Sequence, residues 1–404
     1  MSFVEIAATI LAVALFLGSL FDWFIHALAL SFGVRHFYKK VEPQPDEELP
    51  GVSIIKPLMG VDPHLKSNLE TFFQLDYPKY EILFSVQSEN DPAILVVKSL
   101  IESYPKVDAK LFIGIQIVGA NGKVNNMVKP YEAAKYDAIV ISDSGIKMEE
   151  STLSQMVAEL TPEVALVLQM PFVATRKGFA STYEQVYFGT MQARNCLSAN
   201  AVGINCSTGM SCLLRRDVLD KEGGLTAFGK YLAEDYFIAK AVLNQGYKIG
   251  LCRTPALQNC GQYSIGQFHD RLVRWAQLRF SMLPTLIVLE PLSECMLMGV
   301  AASWAVQYLF DFSAMGYFLL HVLLWFLLDY LMFRVVMGGP LPFSKFEFLV
   351  AWLLRETLSP YLLLTSHRNT NVTWRNKKYR LRWGGVVEEP EAPKSPPLQS
   401  VSVV

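Results

Sequence analysis

The placement of long apolar stretches constrains this chain more than any other feature. Residues 6–30 are almost continuously apolar, interrupted by Ser19, Asp22 and His26. That length crosses a hydrocarbon core of roughly 30 Å. Two further stretches, 289–310 and 312–336, lie near the other end with only a few residues around Asp311 between them, which predicts a tight helical hairpin of two spans. Residues 346–365 are also apolar but carry Arg355 and Glu356 in the middle. Charges at a bilayer centre are costly, so this segment is expected to be interfacial or re-entrant. The 404 residues are 51% hydrophobic and only 18% charged, too apolar for a wholly soluble domain, and a membrane-anchored protein with a soluble middle is expected.

The flanking charges orient it. The start, MSFVE, has no basic residue, whereas Arg35, His36, Lys39 and Lys40 come after the first stretch. A cleaved signal peptide has the opposite order, so residues 1–32 read as a retained anchor with the next part of the chain in the cytosol. Three spans also leave the basic cluster of His367, Arg368, Arg375, Lys377, Lys378, Arg380 and Arg382 in the cytosol, where it is expected. On this topology the sequons at Asn205 and Asn371 face away from the glycosylation machinery. Residues 33–50 read as a Pro- and acid-rich linker, 367–404 as a basic then disordered tail.

Residues 51–266 carry the chemistry. Apolar runs at 52–55, 82–86, 110–115, 138–141, 164–169, 209–214 and 247–251 alternate with helical patterns. Such alternation predicts an α/β fold with a largely parallel sheet. Within it, YDAIVISDSG (136–145) reads as a buried strand ending at Asp143. Ligands bind beyond the carboxyl ends of parallel strands, so Asp143 is placed to meet a ligand or metal, or else to cap the next segment. The aromatic-rich helical stretch 179–199 reads as core, or else as the lining of a pocket. Net charge is −1, which gives no global field for nucleic acid. The six cysteines form no C-x-x-C pair or zinc spacing and are expected to be reduced.

Four signals sit at turns or helix starts: Asp91 in SENDP, Asp143 after its strand, Asp235 after Glu234 at the start of a helix, and Arg271-x-x-Arg274-Trp275 in a basic amphipathic segment (267–285). Each has a plainer role: turn residue, dipole-favoured charge, or ligand for lipid phosphate. Together they suit sugar transfer from a nucleotide diphosphate. That reaction needs a nucleoside ligand, cationic and divalent-metal neutralisation of the leaving diphosphate, and a base for the acceptor hydroxyl. Guanidiniums grip phosphate oxygens bidentately, and Lys56 and Lys123 lie in turns able to approach the nucleotide.

The aspartates followed by (Q/R)xxRW, set between an anchor and C-terminal spans, resemble inverting membrane glycosyltransferases with a GT-A (Rossmann-like) fold. The stretches GVSIIKPLMGVDPHL, NLETFFQLDYPKYEILFSVQ, VYFGT, TGMSCLLRRDVLD, YLAEDYFIAKA and FSKFEF resemble the ceramide glucosyltransferase family along nearly the whole chain. The resemblance implies that Asp91 helps bind the nucleotide, that Asp143 acts at a divalent metal (Mg or Mn) and the diphosphate, and that Asp235 is the general base. It implies that Arg271, Arg274 and Trp275 hold the leaving diphosphate and shape the acceptor entrance. UDP-glucose as donor, ceramide as acceptor, a β-glucoside product and a multi-pass place in Golgi membranes with the catalytic domain facing the cytosol follow as expectations. Two features depart from the wider GT-A pattern: D-x-D reads Asp143-Ser144-Gly145, and the Gln of QxxRW is Arg271. A processive polysaccharide synthase shares the aspartates and QxxRW, but needs more spans to enclose a channel. A dolichol-phosphate glycosyltransferase differs in the lipid it glycosylates, and a nucleotide-binding scaffold has no need of Asp235.

Overall fold

The computed structural model describes residues 2–39, 49–261, 264–367, 371–374 and 377–388. Residues 40–48 of the linker expected at 33–50, and the tail beyond 388 expected to be disordered, lie outside the described residues, while residues 33–37 belong to the first helix. Strands β1 (Val52–Leu58), β2 (Tyr80–Val86), β3 (Asp108–Ile113) and β4 (Ala138–Ser142) form one parallel half of an eight-stranded sheet. β1 lies between β2 and β4, with Val52 in register with both Tyr80 and Ala138. Both faces of β1 and β4 are covered, so every residue in them is buried. Strands buried on two faces read as continuous apolar runs without alternation.

The other half is mixed rather than largely parallel. β6 (Val164–Val173) and β8 (Lys248–Gln258) pair in parallel, but β7 (Ser211–Arg215) runs antiparallel to both β4 and β6. The two-residue β5 (Ile146–Lys147) closes the far edge against β8, giving the order β3-β2-β1-β4-β7-β6-β8-β5. Reversing β7 has a chemical consequence: its lead-in, Gly209–Met210, reaches the carboxyl end of β4, where the Asp143 amide donates to the Met210 carbonyl at 2.9 Å.

Long apolar helices pack together beside this sheet. The 35-residue α1 (Phe3–Phe37) packs against α7 (Ala193–Ala201), α12 (Cys295–Phe310) and α13 (Ala314–Met337). α1 and α13 are long and apolar enough to cross a bilayer. The stretch expected as a single span before Asp311 is divided into α11 (Leu286–Leu292) and α12, bent by 78°. Pro291 inside α11 and the buried Glu294 at the break account for the interruption. α14 (Lys345–His367) is one continuous helix. Its Arg355 and Glu356 point inward: Arg355 bonds Glu356, the Thr190 hydroxyl, and Asp329 of α13 at 2.9 Å. Asp329 in turn faces His26 at 3.3 Å, Arg194 at 3.6 Å and the Trp352 indole N–H at 2.8 Å. The charges that argued against burial in lipid are paired inside the protein instead. Thr190 sits in a π-helical turn (Phe188–Gln192), and Gly189 there meets Phe333 so closely that a Cβ would lie 2.5 Å from its ring.

The basic segment after α14 is ordered in part. β9 (Asn371–Trp374), β10 (Lys377–Leu381) and β11 (Val387–Glu388) form an antiparallel sheet. Val372, Tyr379, Leu381 and Val387 bury one face of it against Leu232. The basic part of the expected tail is thus a small sheet, because alternate side chains find a core.

Candidate functional site

Parallel β1, β2 and β4 end at the same edge, and the turns beyond them bring the candidate residues forward. Asn121 starts α4 (Gly122–Ala133), its side-chain oxygen capping the Lys123 and Val124 amides at 2.8 and 3.2 Å. That cap aims Lys123 across the sheet edge. Its ammonium lies 2.8 Å from Asp143 Oδ1 and 3.0 Å from Glu234 Oε1, and donates to the Gly209 carbonyl at 2.7 Å. Lys123 and Glu234 are buried, whereas the Asp143 side chain is 42% exposed and faces the opening. The neighbouring carboxylates hold the Lys123 ammonium well above the ordinary lysine range despite its burial.

Glu234 and Asp235 open α9 (Glu234–Asn244), where the helix dipole favours anions. Asn121 Nδ2 donates to Glu234 Oε2 and to the Tyr231 carbonyl, both at 2.8 Å. Asp235 is half-buried beside this cluster. Desolvation, then the Glu234 charge, push its carboxyl up to about 7, with Lys123 opposing. A carboxylate titrating near neutrality is matched to general-base work.

Asp91 lies on the same edge. Its carboxylate accepts from the Gly60 amide at 2.9 and 3.1 Å and from the Ala93 amide at 2.9 Å, which pins the β1 turn to the start of α3 (Ala93–Ser103). Gly60 has φ +67°, a conformation suited to glycine. Lys56 departs from expectation. It lies within β1, not in a turn, and is fully buried. Its ammonium donates to the Asp143 carbonyl at 2.7 Å and the Ser142 hydroxyl at 3.2 Å, and sits 3.7 Å above the Phe72 ring. Burial pulls it well below the usual lysine range. Lys56 thus buttresses Asp143 from behind and offers nothing to a ligand in front.

Arg271, Arg274 and Trp275 share α10 (Ile265–Met282), which begins with a Ser264–Gln267 capping box and buries Phe268, Leu272, Ala276 and Phe280 as a stripe. Arg271 donates to Gln258 at 2.8 Å and stacks over Trp275 at 4.5 Å. Gln258 pairs in register with Ile146, and the Asn259 amide donates to the Gly145 carbonyl at 2.7 Å. The helix is thereby tied to the turn that follows Asp143. Arg274 is half-buried on the same helix.

Among the described residues no three His, Cys, Asp or Glu side chains are placed to hold a metal by themselves. A half-exposed carboxylate at Asp143 still fits a hard cation that takes most of its oxygens from phosphate and water. Glu234, Asn121 and the Gly209 carbonyl complete the cluster, yet only Glu234 was visible in the sequence, and there only as a neighbour of Asp235. Their convergence depends on β7 running backwards.

A sheet edge that gathers carboxylates around one ammonium, beside a guanidinium-bearing helix, is an arrangement suited to a glycosyltransferase of the GT-A type. Sequence comparison narrows the class: glycosyl transferase family 21 matches residues 21–387, and the chain belongs to that family. Ceramide glucosyltransferase 3 of Caenorhabditis elegans is 40% identical over 385 residues, spanning 95% of this chain and 83% of that protein. Ceramide glucosyltransferase 1 of the same organism is 40% identical over 365 residues, 90% of this chain and 78% of that protein. The ceramide glucosyltransferase of Komagataella phaffii is 28% identical over 451 aligned positions, covering 89% of each. Among solved structures, a mannosyltransferase from Pyrobaculum calidifontis in complex with GDP-Man and Mn2+ aligns over 89% of this chain and 97% of its own, at 18% identity and a TM-score of 0.49.

Proposed function

We propose that this glycosyltransferase transfers glucose from UDP-glucose to the primary hydroxyl of ceramide, with inversion at the anomeric carbon, giving glucosylceramide. The observation that carries the reading is Asp235, titrating near neutrality beside the Lys123–Asp143–Glu234 cluster. The names of the 40%-identical relatives support donor sugar and acceptor.

In this mechanism Asp235 accepts the proton of the acceptor hydroxyl as its oxygen attacks the anomeric carbon. Lys123, locked in its charged form by three oxygen partners, offsets the negative charge that builds on the leaving UDP. Arg271 and Arg274 grip the diphosphate, with Trp275 fixing the Arg271 plane. Asp91 orders the Gly60 turn against the nucleoside. A divalent ion bound at Asp143 would neutralise leaving-group charge. The protein lies in Golgi membranes and crosses them three times, with the bent α11–α12 pair counted as one span and the catalytic domain in the cytosol.

The test is transfer of labelled glucose from UDP-glucose to a short-chain ceramide in detergent, with and without divalent metal. A single monoglycosylated lipid is expected, and Asp235→Asn is expected to abolish its formation while sparing UDP-glucose binding. A polymeric product, or full activity in Asp235→Asn, overturns the reading.

A further inference from the structure

The small sheet formed by residues 371–388 touches three pieces of chain, and each carries part of the site. First, its edge extends the segment before Glu234: Tyr231 bridges antiparallel to Val386, and the Val387 amide donates to the Lys230 carbonyl at 3.4 Å. Second, the Tyr379 hydroxyl donates to the Ala120 carbonyl at 3.4 Å, immediately before the Asn121 cap that aims Lys123. Third, the Gly384 amide donates to the Ser281 carbonyl at 2.9 Å, at the end of the helix bearing Arg271 and Arg274.

These attachments converge on the catalytic turn. The Tyr231 ring stacks on Phe237 with centroids 3.6 Å apart, and its carbonyl accepts from Asn121. Asn121 also takes its backbone partner here, donating to the Gly229 carbonyl at 2.8 Å. Gly385 sits directly against Phe237, so close that a Cβ would lie 2.8 Å from the ring and 2.8 Å from Met282.

We propose that the C-terminal sheet is a positioning clamp for the reaction: it joins the Lys123 turn, the Glu234–Asp235 helix start and the arginine helix, and so sets the distance between base, ammonium and leaving group. The chain reaches this clamp only after its last apolar helix, α14, so the fold of the membrane region and the registration of the base are joined through residues 371–388. The nucleotide side of the site, at Asp91 and Gly60, makes no described contact with the clamp. Loss of the clamp therefore lowers turnover more than donor affinity, since Asp91 and Gly60 keep their places while Lys123, Arg271 and Arg274 shift at the diphosphate. The inference rests on the proposed glucosyl transfer for its assay.

Two adjacent glycines supply the test. Gly384 and Gly385 both have positive φ, +88° and +77°, so alanine strains the backbone at either one. Only at Gly385 does the added Cβ strike anything; at Gly384 nothing lies within 4 Å. The full-length enzyme in detergent is assayed for kcat on short-chain ceramide and for UDP-glucose affinity. Gly385→Ala is expected to lower kcat about ten-fold or more, since a displacement near 1 Å of reacting groups costs up to roughly 10²-fold, with a smaller fall in donor affinity. Gly384→Ala is expected to keep a far higher kcat. Equal kcat in the two variants, or a fall in donor affinity as large as the fall in kcat, overturns the clamp. Should Gly385→Ala fail to accumulate as folded protein, Val387→Ala removes buried contact without a clash and is read by the same split, with unchanged kcat overturning the proposal. Wild-type enzyme in the same assay keeps the two ideas apart. A wild type that transfers no glucose to ceramide counts against the functional reading, and the rate of UDP-glucose hydrolysis then scores the glycine pair.

Discussion

Replacing Lys123 by methionine tests the centre of the site most directly. The side chain keeps its length and loses its charge, so Asp143, Glu234 and Asp235 face one another without the ammonium between them. The two ion-pair partners differ in how much they suffer. Asp143 is 42% exposed, so water replaces much of what it loses. Glu234 is buried and, among the described residues, keeps the Asn121 amide. Removing one member of a buried pair costs about 3–5 kcal/mol; with Asp143 discounted, the lower end, about 3 kcal/mol, is expected. At roughly 2–4 °C per kcal/mol for a domain of this size, the thermal midpoint falls by roughly 6–12 °C. Turnover falls further, because a preorganised cation aimed at developing charge is worth about 10²–10³ in kcat. The residual activity carries a second signature. Lys123 opposes the upward shift of Asp235, so its loss moves the acid limb of the rate profile to higher pH. The assays are thermal unfolding in detergent, and glucose transfer from pH 5 to 9. A variant with wild-type midpoint, rate and pH profile would falsify the view that this ammonium balances the carboxylates.

Four further outcomes rest on the same geometry. In the wild type, log kcat/KM rises with pH and levels off above about 7, because the base works ionised and its carboxyl is raised to that value; a profile flat down to pH 5 removes Asp235 from the proton step. Asp91→Ala frees the Gly60 turn from its carboxylate anchor and is expected to raise the KM for UDP-glucose about ten-fold or more with a smaller change in kcat, measured by initial rates. Arg271→Ala breaks the Gln258 bond and the stack on Trp275, and weaker UDP inhibition is expected in competition assays; undiminished inhibition points to lipid contact instead. Arg355→Leu leaves Asp329 and Glu356 buried without their main cation and is expected to cost about 3–5 kcal/mol, read as a lower midpoint in detergent with the UDP-glucose KM unchanged.

The parallel half of the sheet was legible because its signals are local. The run 138–141 with its polar stop marks β4 to within a residue, and α10 announces itself through the basic amphipathic pattern of 267–285. The features that escaped depend on partners far away in the chain. Lys56 looked like a turn residue because it precedes Pro57, yet β1 continues through both to Leu58. Arg355 and Glu356 looked too costly for a helix in the bilayer, since nothing nearby in sequence names Asp329, 26 residues earlier, as the partner. The C-terminal sheet was hidden by its own charge. Lys377, Lys378, Arg380 and Arg382 dominate the segment, while Val372, Tyr379 and Leu381 carry the period-two pattern that a buried strand face requires.

The same distinction explains why the aspartates could be found and their coupling could not. Asp143 and Asp235 are placed by elements that start or stop beside them, so each is visible alone. Their relation is set by Lys123, which touches Asp143 and Glu234 across a gap of 86 residues to the Gly209 carbonyl it also binds. That carbonyl is present only because β7 runs antiparallel and delivers Gly209 to the carboxyl edge. Gly209 itself must stay small: a Cβ there would lie 3.3 Å from both the Lys123 ammonium and Asp235 Oδ2. A D-x-D motif concentrates carboxylates in one turn, whereas this chain has Asp143-Ser144-Gly145 and brings its further carboxylates, Glu234 and Asp235, from α9. The charge density that a diphosphate site requires is therefore assembled by the fold, and the elements that hold α9 in place matter to the chemistry as much as the turn that carries Asp143.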